Sequence, residues 1–207
     1  MSREPLIYMA GRMGDSEDNK RPGGPNKCWR LFDVSSIQGD IPLDIQDGTS
    51  VSRSLSPLPE SRHFYGTNVY FLYSGPWKAM GSYHGYVHGV TSSTIGEVAG
   101  KTFDSSLQCI SRADIFIAYF DDLEAYGTLV ELGIAKAQGK RIIVVTAYPD
   151  YAGYEYEHNE LTDNIWFAIK CAEKHIHIPV DKSLTKHDVW VSAHKKIAKV
   201  IASWRTS

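Results

Sequence analysis

Between Ala113 and Val145 the sequence reads ADIFIAYFDDLEAYGTLVELGIAKAQGKRIIVV: an apolar run, then Asp121, Asp122 and Glu124, a Gly127-Thr128 pair, and Glu131 in the first turn of a helical period. A carboxylate there is kept ionised by the helix macrodipole. Pointing out of the strand ends into a ligand crevice, it could serve as a nucleophile toward an anomeric carbon. The same residues, Thr128 to Glu131, also spell a capping box, in which Thr128 bonds the backbone N–H of Glu131 and the carboxylate reaches back. Capping and catalysis do not exclude each other. Asp121 and Asp122 are either contacts for a base or ribose, with Asp122 a candidate proton donor to a leaving base, or a solvated acidic loop.

Other chemistry-bearing residues fall in loops. Arg12, after the first apolar run, could pair bidentately with a phosphate or with nearby acids of its own loop. The segment SGPWKAMGSYHGYVHG, Ser74 to Gly89, sets Trp77, Tyr83, His84, Tyr86 and His88 among glycines, which suits stacking on a base. His84 and His88 lack the helical context and acidic companions of a zinc site, so no metal is expected, and a functional histidine here is a substrate contact, as at His84, or an acid/base group for the leaving base. Asp114 reads as a structural hydrogen-bonding residue at the opposite end of its strand.

The elements that must position these residues follow from continuous apolar runs at Leu6–Ala10, Thr67–Tyr73, Ile115–Tyr119 and Arg141–Thr146, the pattern of strands covered on both faces. Helical periods lie between them: Ile95 to Ile110, Thr128 to Gln138, and Asn164 to Lys174. A last stripe runs from Trp190 to Trp204. Such alternation predicts a single-domain, doubly wound α/β sandwich of flavodoxin or Rossmann type, with a mostly parallel five-stranded sheet. Ligands in such sheets bind beyond the carboxyl ends of the strands. The stretch 35–62, rich in Ser, Pro and Asp, is an irregular insertion within this one domain, 1–207.

With 207 residues, 43% hydrophobic and 22% charged, and a net charge of -2, the chain is of globular composition without a field to attract polymeric nucleic acid. Cys28, Cys109 and Cys171 are too dispersed for a zinc or redox site and read as reduced thiols. The apolar run at the N-terminus is too short for a signal peptide, and none reaches the roughly 18 residues of a membrane span. A cytoplasmic protein is expected.

YGTLVELGIAKAQGKRIIVV, preceded by a strand ending in Asp, resembles the core motif of the nucleoside 2-deoxyribosyltransferase family, and the opening IYMAGRM resembles that family's first strand and loop. The resemblance spans roughly Leu6–Gly11 and Ile95–Val145. It implies that Glu131 is the nucleophile, that Tyr8 bonds it, and that Ala10, Gly11 and Arg12 flank the ligand, with Gly127 and Thr128 in the turn below. It further implies a substrate-binding Asn164, a small nucleoside or nucleotide substrate, no cofactor, and a homo-oligomer. One position departs from the family: Ala125, six residues before the glutamate, stands where deoxyribosyltransferases carry a base-binding aspartate and related nucleotide hydrolases a phosphate-binding serine.

The expected reaction is cleavage of an N-glycosidic bond through a glycosyl-enzyme ester, resolved by a second base or by water with net retention. Two alternatives share the residues: an NAD-cleaving glycohydrolase, and an inactive nucleotide-binding module. The lack of a GKS or GKT phosphate loop and of a GxGxxG turn argues against a kinase or an ordinary dehydrogenase.

Overall fold

A computed structural model describes residues 3–11, 29–30, 61–75, 95–121, 125–148, 160–181 and 183–206. Ten elements follow one another: β1 (Leu6–Gly11), β2 (Ser61–His63), β3 (Tyr70–Gly75), α1 (Ile95–Arg112), β4 (Ile115–Phe120), α2 (Tyr126–Ala137), β5 (Arg141–Tyr148), α3 (Glu160–Cys171), β6 (Lys174–Pro179) and α4 (Lys186–Thr206).

The sheet has the order β2-β3-β1-β4-β5-β6. β3, β1, β4, β5 and β6 pair in parallel, and β2 adds a short antiparallel edge against β3, Ser61 opposite Leu72. The sheet is therefore six-stranded, with the expected parallel set of five at its centre. Its extra strand takes up Ser61 and Arg62, the last residues of the stretch read as irregular. Counting the parallel strands alone, the order is 2-1-3-4-5, the flavodoxin-like arrangement, in which the winding reverses beside the first strand. Here that reversal lies between β1 and β4.

Helices cover both faces. α1, α2 and α3 pack through Cys109, Ile110, Leu132, Ala135, Ile165 and Ala168 onto Tyr8, Ala10, Phe116, Ala118 and Phe120. On the other face α4, through Val189, Ala193, Ile197 and Ile201, meets Ile7, Met9, Ile117, Tyr119, Ile143 and Val145, with Trp29 and Phe64 completing the layer. All six residues of β4 are buried, which is why its sequence is a continuous apolar run without alternation.

Element ends differ from expectation where local chemistry competes. β3 begins at Tyr70 rather than Thr67, because Thr67 closes a turn, its N–H and hydroxyl both bonded to the Phe64 carbonyl. α3 stops at Cys171, and Lys174 opens β6. α2 ends as its sequence suggests, with Gly139 at φ +68° and its N–H on the Lys136 carbonyl. Cys109 and Cys171 are free thiols. Among the described residues no helix is long and apolar enough to cross a membrane, and no group of His, Cys, Asp and Glu is arranged to hold a metal ion.

Candidate active site

Side chains alternate along β1, so Tyr8 and Ala10 face α1–α3 while Ile7 and Met9 face α4. The Tyr8 ring lies flat against Phe116 of β4, centroids 5.4 Å apart. The next pair on that face, Ala10 and Ala118, is small. On α2 the inward stripe is Thr128, Leu132 and Ala135, and Glu131 sits beside it, one residue from Leu132. These two periodicities bring a phenol and a carboxylate together from positions 123 residues apart: the Tyr8 hydroxyl donates to Glu131 Oε1 at 2.5 Å.

Glu131 is not where a capping box needs it. The cap of α2 is Ala125, with no side-chain cap bond, and the first turn holds no acid. Tyr126 is the first helical residue, which puts Glu131 in the second turn and Thr128 inside the helix as a buried side chain. The macrodipole is felt mainly in the first turn, so it does not determine the state of Glu131. Burial does, raising the carboxyl above the ordinary glutamate range, while the Tyr8 hydrogen bond and the charge of Arg30 pull it back in part. The Tyr8 phenol is itself driven up by burial and by the neighbouring carboxylate, so it remains a donor.

At the end of β1, Gly11 packs against Trp29, Arg30 and Tyr119. Gly11 has φ +143°, and a Cβ there would stand 2.6 Å from Trp29 Nε1 and 2.9 Å from the Tyr119 carbonyl, so neither the backbone nor the space admits a side chain. Trp29 stacks on Tyr119, centroids 4.9 Å apart. Among the described residues its indole N–H meets no acceptor. Trp29 is held from behind by His194 of α4, whose Nε2–H donates to the Trp29 carbonyl at 2.8 Å while Nδ1 accepts the Tyr65 N–H at 3.0 Å. Burial pushes His194 down to about 4, so it is the neutral tautomer that makes both bonds. Arg30 is fully buried, its guanidinium on the carbonyls of Met9 and Gly11.

Of the residues expected from sequence, the fold joins Tyr8 with Glu131 and sets Ala10, Gly11 and Asp121 at the carboxyl ends of β1 and β4, either side of the winding reversal. Gly127 is exposed with open space around it, and Thr128 beside it is buried. Asn164 lies in α3, in its second turn rather than at its start. Arg12, Trp77, His84 and Asp122 lie outside the described residues. Asp114 is at the opposite end of the sheet, accepting from the Leu6 N–H at 2.8 Å and from Arg3 at 3.1 and 3.2 Å. Sequence reasoning missed Trp29, Arg30 and His194. The only local signal for the first two was an aromatic and a cation, CWR, following a glycine-rich polar run.

Residues 84–166 match the sequence model of the family described as nucleoside 2-deoxyribosyltransferase, a stretch that contains α1, β4, α2 with Glu131, and β5. Among solved structures the chain is similar to a CMP N-glycosidase from Clostridium botulinum, at 22% identity, over 50% of this chain and 74% of that one, with a TM-score of 0.30. No curated protein matches the sequence. Through residues 84–166, the stretch that carries Glu131, this chain is similar to the nucleoside 2-deoxyribosyltransferase family.

Proposed function

We propose that this protein cleaves the N-glycosidic bond of a nucleoside or nucleotide, with Glu131 attacking the anomeric carbon. The observation that carries this is the hydrogen bond from Tyr8 to Glu131 Oε1 at the winding reversal of the sheet. A partly buried carboxylate with a phenol as its partner is costly to keep for stability alone, because burial disfavours its charge. Its position coincides with the crevice where doubly wound sheets bind ligands.

In the proposed reaction Tyr8 fixes one carboxylate oxygen and Oε2 attacks C1′ as the base departs, giving a glycosyl ester on Glu131. The leaving base takes up a proton or hydrogen bond from the acidic loop after β4, for which Asp121 and Asp122 are the candidates. Water or an acceptor base then attacks from the opposite side, and two inversions give retention. Ala10 and Gly11 form the sugar-side wall. Arg12 recognises a 5′-phosphate if the substrate is a nucleotide, and Trp77, His84, Thr128, Gly127 and Asn164 complete the substrate contacts. Both hydrolysis and transfer proceed through the same ester.

The test is base release from a panel of nucleosides, nucleoside monophosphates and NAD, with and without an acceptor base. Glu131→Ala should lower release by roughly three orders of magnitude or more, as removal of a nucleophile does elsewhere. Equal turnover by both proteins would remove Glu131 from the mechanism.

A further inference from the structure

Gly11 and Tyr119 are the last register pair between β1 and β4, the two strands that flank the winding reversal. Trp29 lies against both. Its ring stacks on Tyr119, centroids 4.9 Å apart and planes 10° from parallel. Its Nε1 is the atom nearest to where a Cβ on Gly11 would stand, at 2.6 Å, so the polar edge of the indole is the edge set against the end of β1. Only a glycine lets the ring come this close. Trp29, which follows β1 in the chain, packs on the α4 face, whereas α2, which follows β4 and carries Glu131, packs on the other. In doubly wound sheets the ligand crevice opens where the segments leaving two neighbouring strands part in this way.

Trp29 is 2% exposed, and among the described residues its Nε1 meets no hydrogen-bond acceptor. Buried indole N–H groups ordinarily find a partner, and one without a partner carries the cost of its desolvation. Packing does not call for that donor, because a phenylalanine ring would also stack on Tyr119 and leave nothing unpaired. The indole is held in place besides: His194 donates to the Trp29 carbonyl at 2.8 Å and meets the ring edge-on, centroids 6.4 Å apart. A fixed, unpaired donor at the reversal matches an acceptor that arrives with the ligand.

We propose that Trp29 is a substrate-binding residue whose indole N–H donates to an oxygen carried by the sugar, a hydroxyl or a 5′-phosphate oxygen. The sugar is the part of the substrate that faces Gly11 in the reaction proposed above, and the inference rests on that nucleoside or nucleotide substrate. Specificity follows from the unpaired state. A substrate that lacks the oxygen leaves the donor buried and unsatisfied, so the site discriminates against it.

Trp29→Phe keeps an aromatic ring against Tyr119 and loses the donor. Base release by this variant and by the unaltered protein is compared on a nucleoside, its 2′-, 3′- and 5′-deoxy analogues, and its 5′-monophosphate. On the substrate with the acceptor, kcat/KM should fall by roughly 10- to 100-fold, and on the analogue without it the two proteins should agree within about 2-fold. No loss, or a loss equal across the series, overturns the proposal, the first being what a donor that only holds a water would give and the second what a packing role would give.

If the variant does not fold, the indole signal decides. In 15N-labelled Glu131→Gln, the Trp29 Nε1–H resonance, assigned by its contacts with Tyr119, should move downfield with the compounds that carry the acceptor and stay in place with the analogue that lacks it. A Trp29 signal that stays still while other signals shift overturns the donor role. If no compound shifts any signal, the proposal falls together with the substrate class on which it rests. If the Trp29 signal moves but the unaltered protein releases no base, the glycosidase reading fails alone and the donor role stands.

Discussion

His194 and Glu131 lie on opposite faces of the sheet, the first fully buried and the second partly so, and the fold treats them differently. Under α4, His194 has both ring nitrogens on backbone, the Trp29 carbonyl and the Tyr65 N–H, and burial holds it neutral. Under α1–α3, Glu131 is held by a phenol, feels the charge of Arg30, and lies where the winding of the sheet reverses. A buried group saturated by main chain is an anchor, because any change in its charge breaks the fold around it. A buried group whose partner is a side-chain hydroxyl at the mouth of a crevice retains a reason to change state.

The contrast can be broken first on the His194 side. Its folded value of about 4 lies below the ordinary histidine value near 6.5, so the unfolded chain binds the proton more tightly. Its contribution is complete above pH ~6.5 and is lost as pH falls toward about 4, by an amount on the order of 3 kcal/mol. Chemical denaturation across that window should show the loss. A His194→Gln variant, able to accept from Tyr65 and donate to Trp29, should show a flatter profile. An identical pH dependence in the variant would remove His194 as its source.

On the other face Tyr8→Phe removes one hydrogen bond to a carboxylate and keeps the stack on Phe116. Base release should fall by about 10- to 100-fold, the effect of losing a charge-assisted bond. The acid limb should move up as well, since the bond favours the anion. An unchanged rate would mean that Tyr8 serves the core alone.

Glu131→Gln sharpens the comparison through stability. Burial raises the Glu131 carboxyl, so the native state holds the proton more tightly than the unfolded chain. The associated stability is full below the unfolded value and lost as pH rises through the folded one. Above that range the Gln variant should melt higher than the unaltered protein by about 2–4 °C, and the two curves should meet in acid. A lower melting temperature for the variant at neutral pH would mean that Glu131 stabilises the fold as an anion.

The smallest effect is expected at the opposite end of the sheet. Asp114 is exposed and pairs with Arg3 and the Leu6 N–H. Asp114→Asn should cost about 1 kcal/mol or less and leave base release unchanged, because exposed pairs are screened and the residue is remote from the crevice. A large loss of rate would place the chemistry at the wrong end of the strands.

The parallel core was legible because β1, β4 and β5 are covered on both faces and so read as unbroken apolar runs. β2 was not, since three residues of an exposed edge carry no period. Tyr8 and Glu131 were legible as a pair only through the family-like motifs around them. Local sequence favoured a capping box, which the structure replaces by starting α2 at Tyr126, two residues before Thr128. Trp29, Arg30 and His194 were out of reach of local pattern because their partners are distant in the chain: Arg30 bonds the carbonyls of Met9 and Gly11, and His194 anchors a segment 165 residues away. Asp114 was placed correctly because a carboxylate just before a parallel strand must lie at the amino end of the sheet.

The most direct measurement remains chromatographic base release by the unaltered protein and Glu131→Ala across nucleosides, nucleoside monophosphates and NAD. Release by the unaltered protein alone, with the variant reduced by roughly a thousandfold or more, is the predicted result. Turnover that survives the substitution, or tight nucleotide binding with no turnover by either protein, would contradict a nucleophilic Glu131.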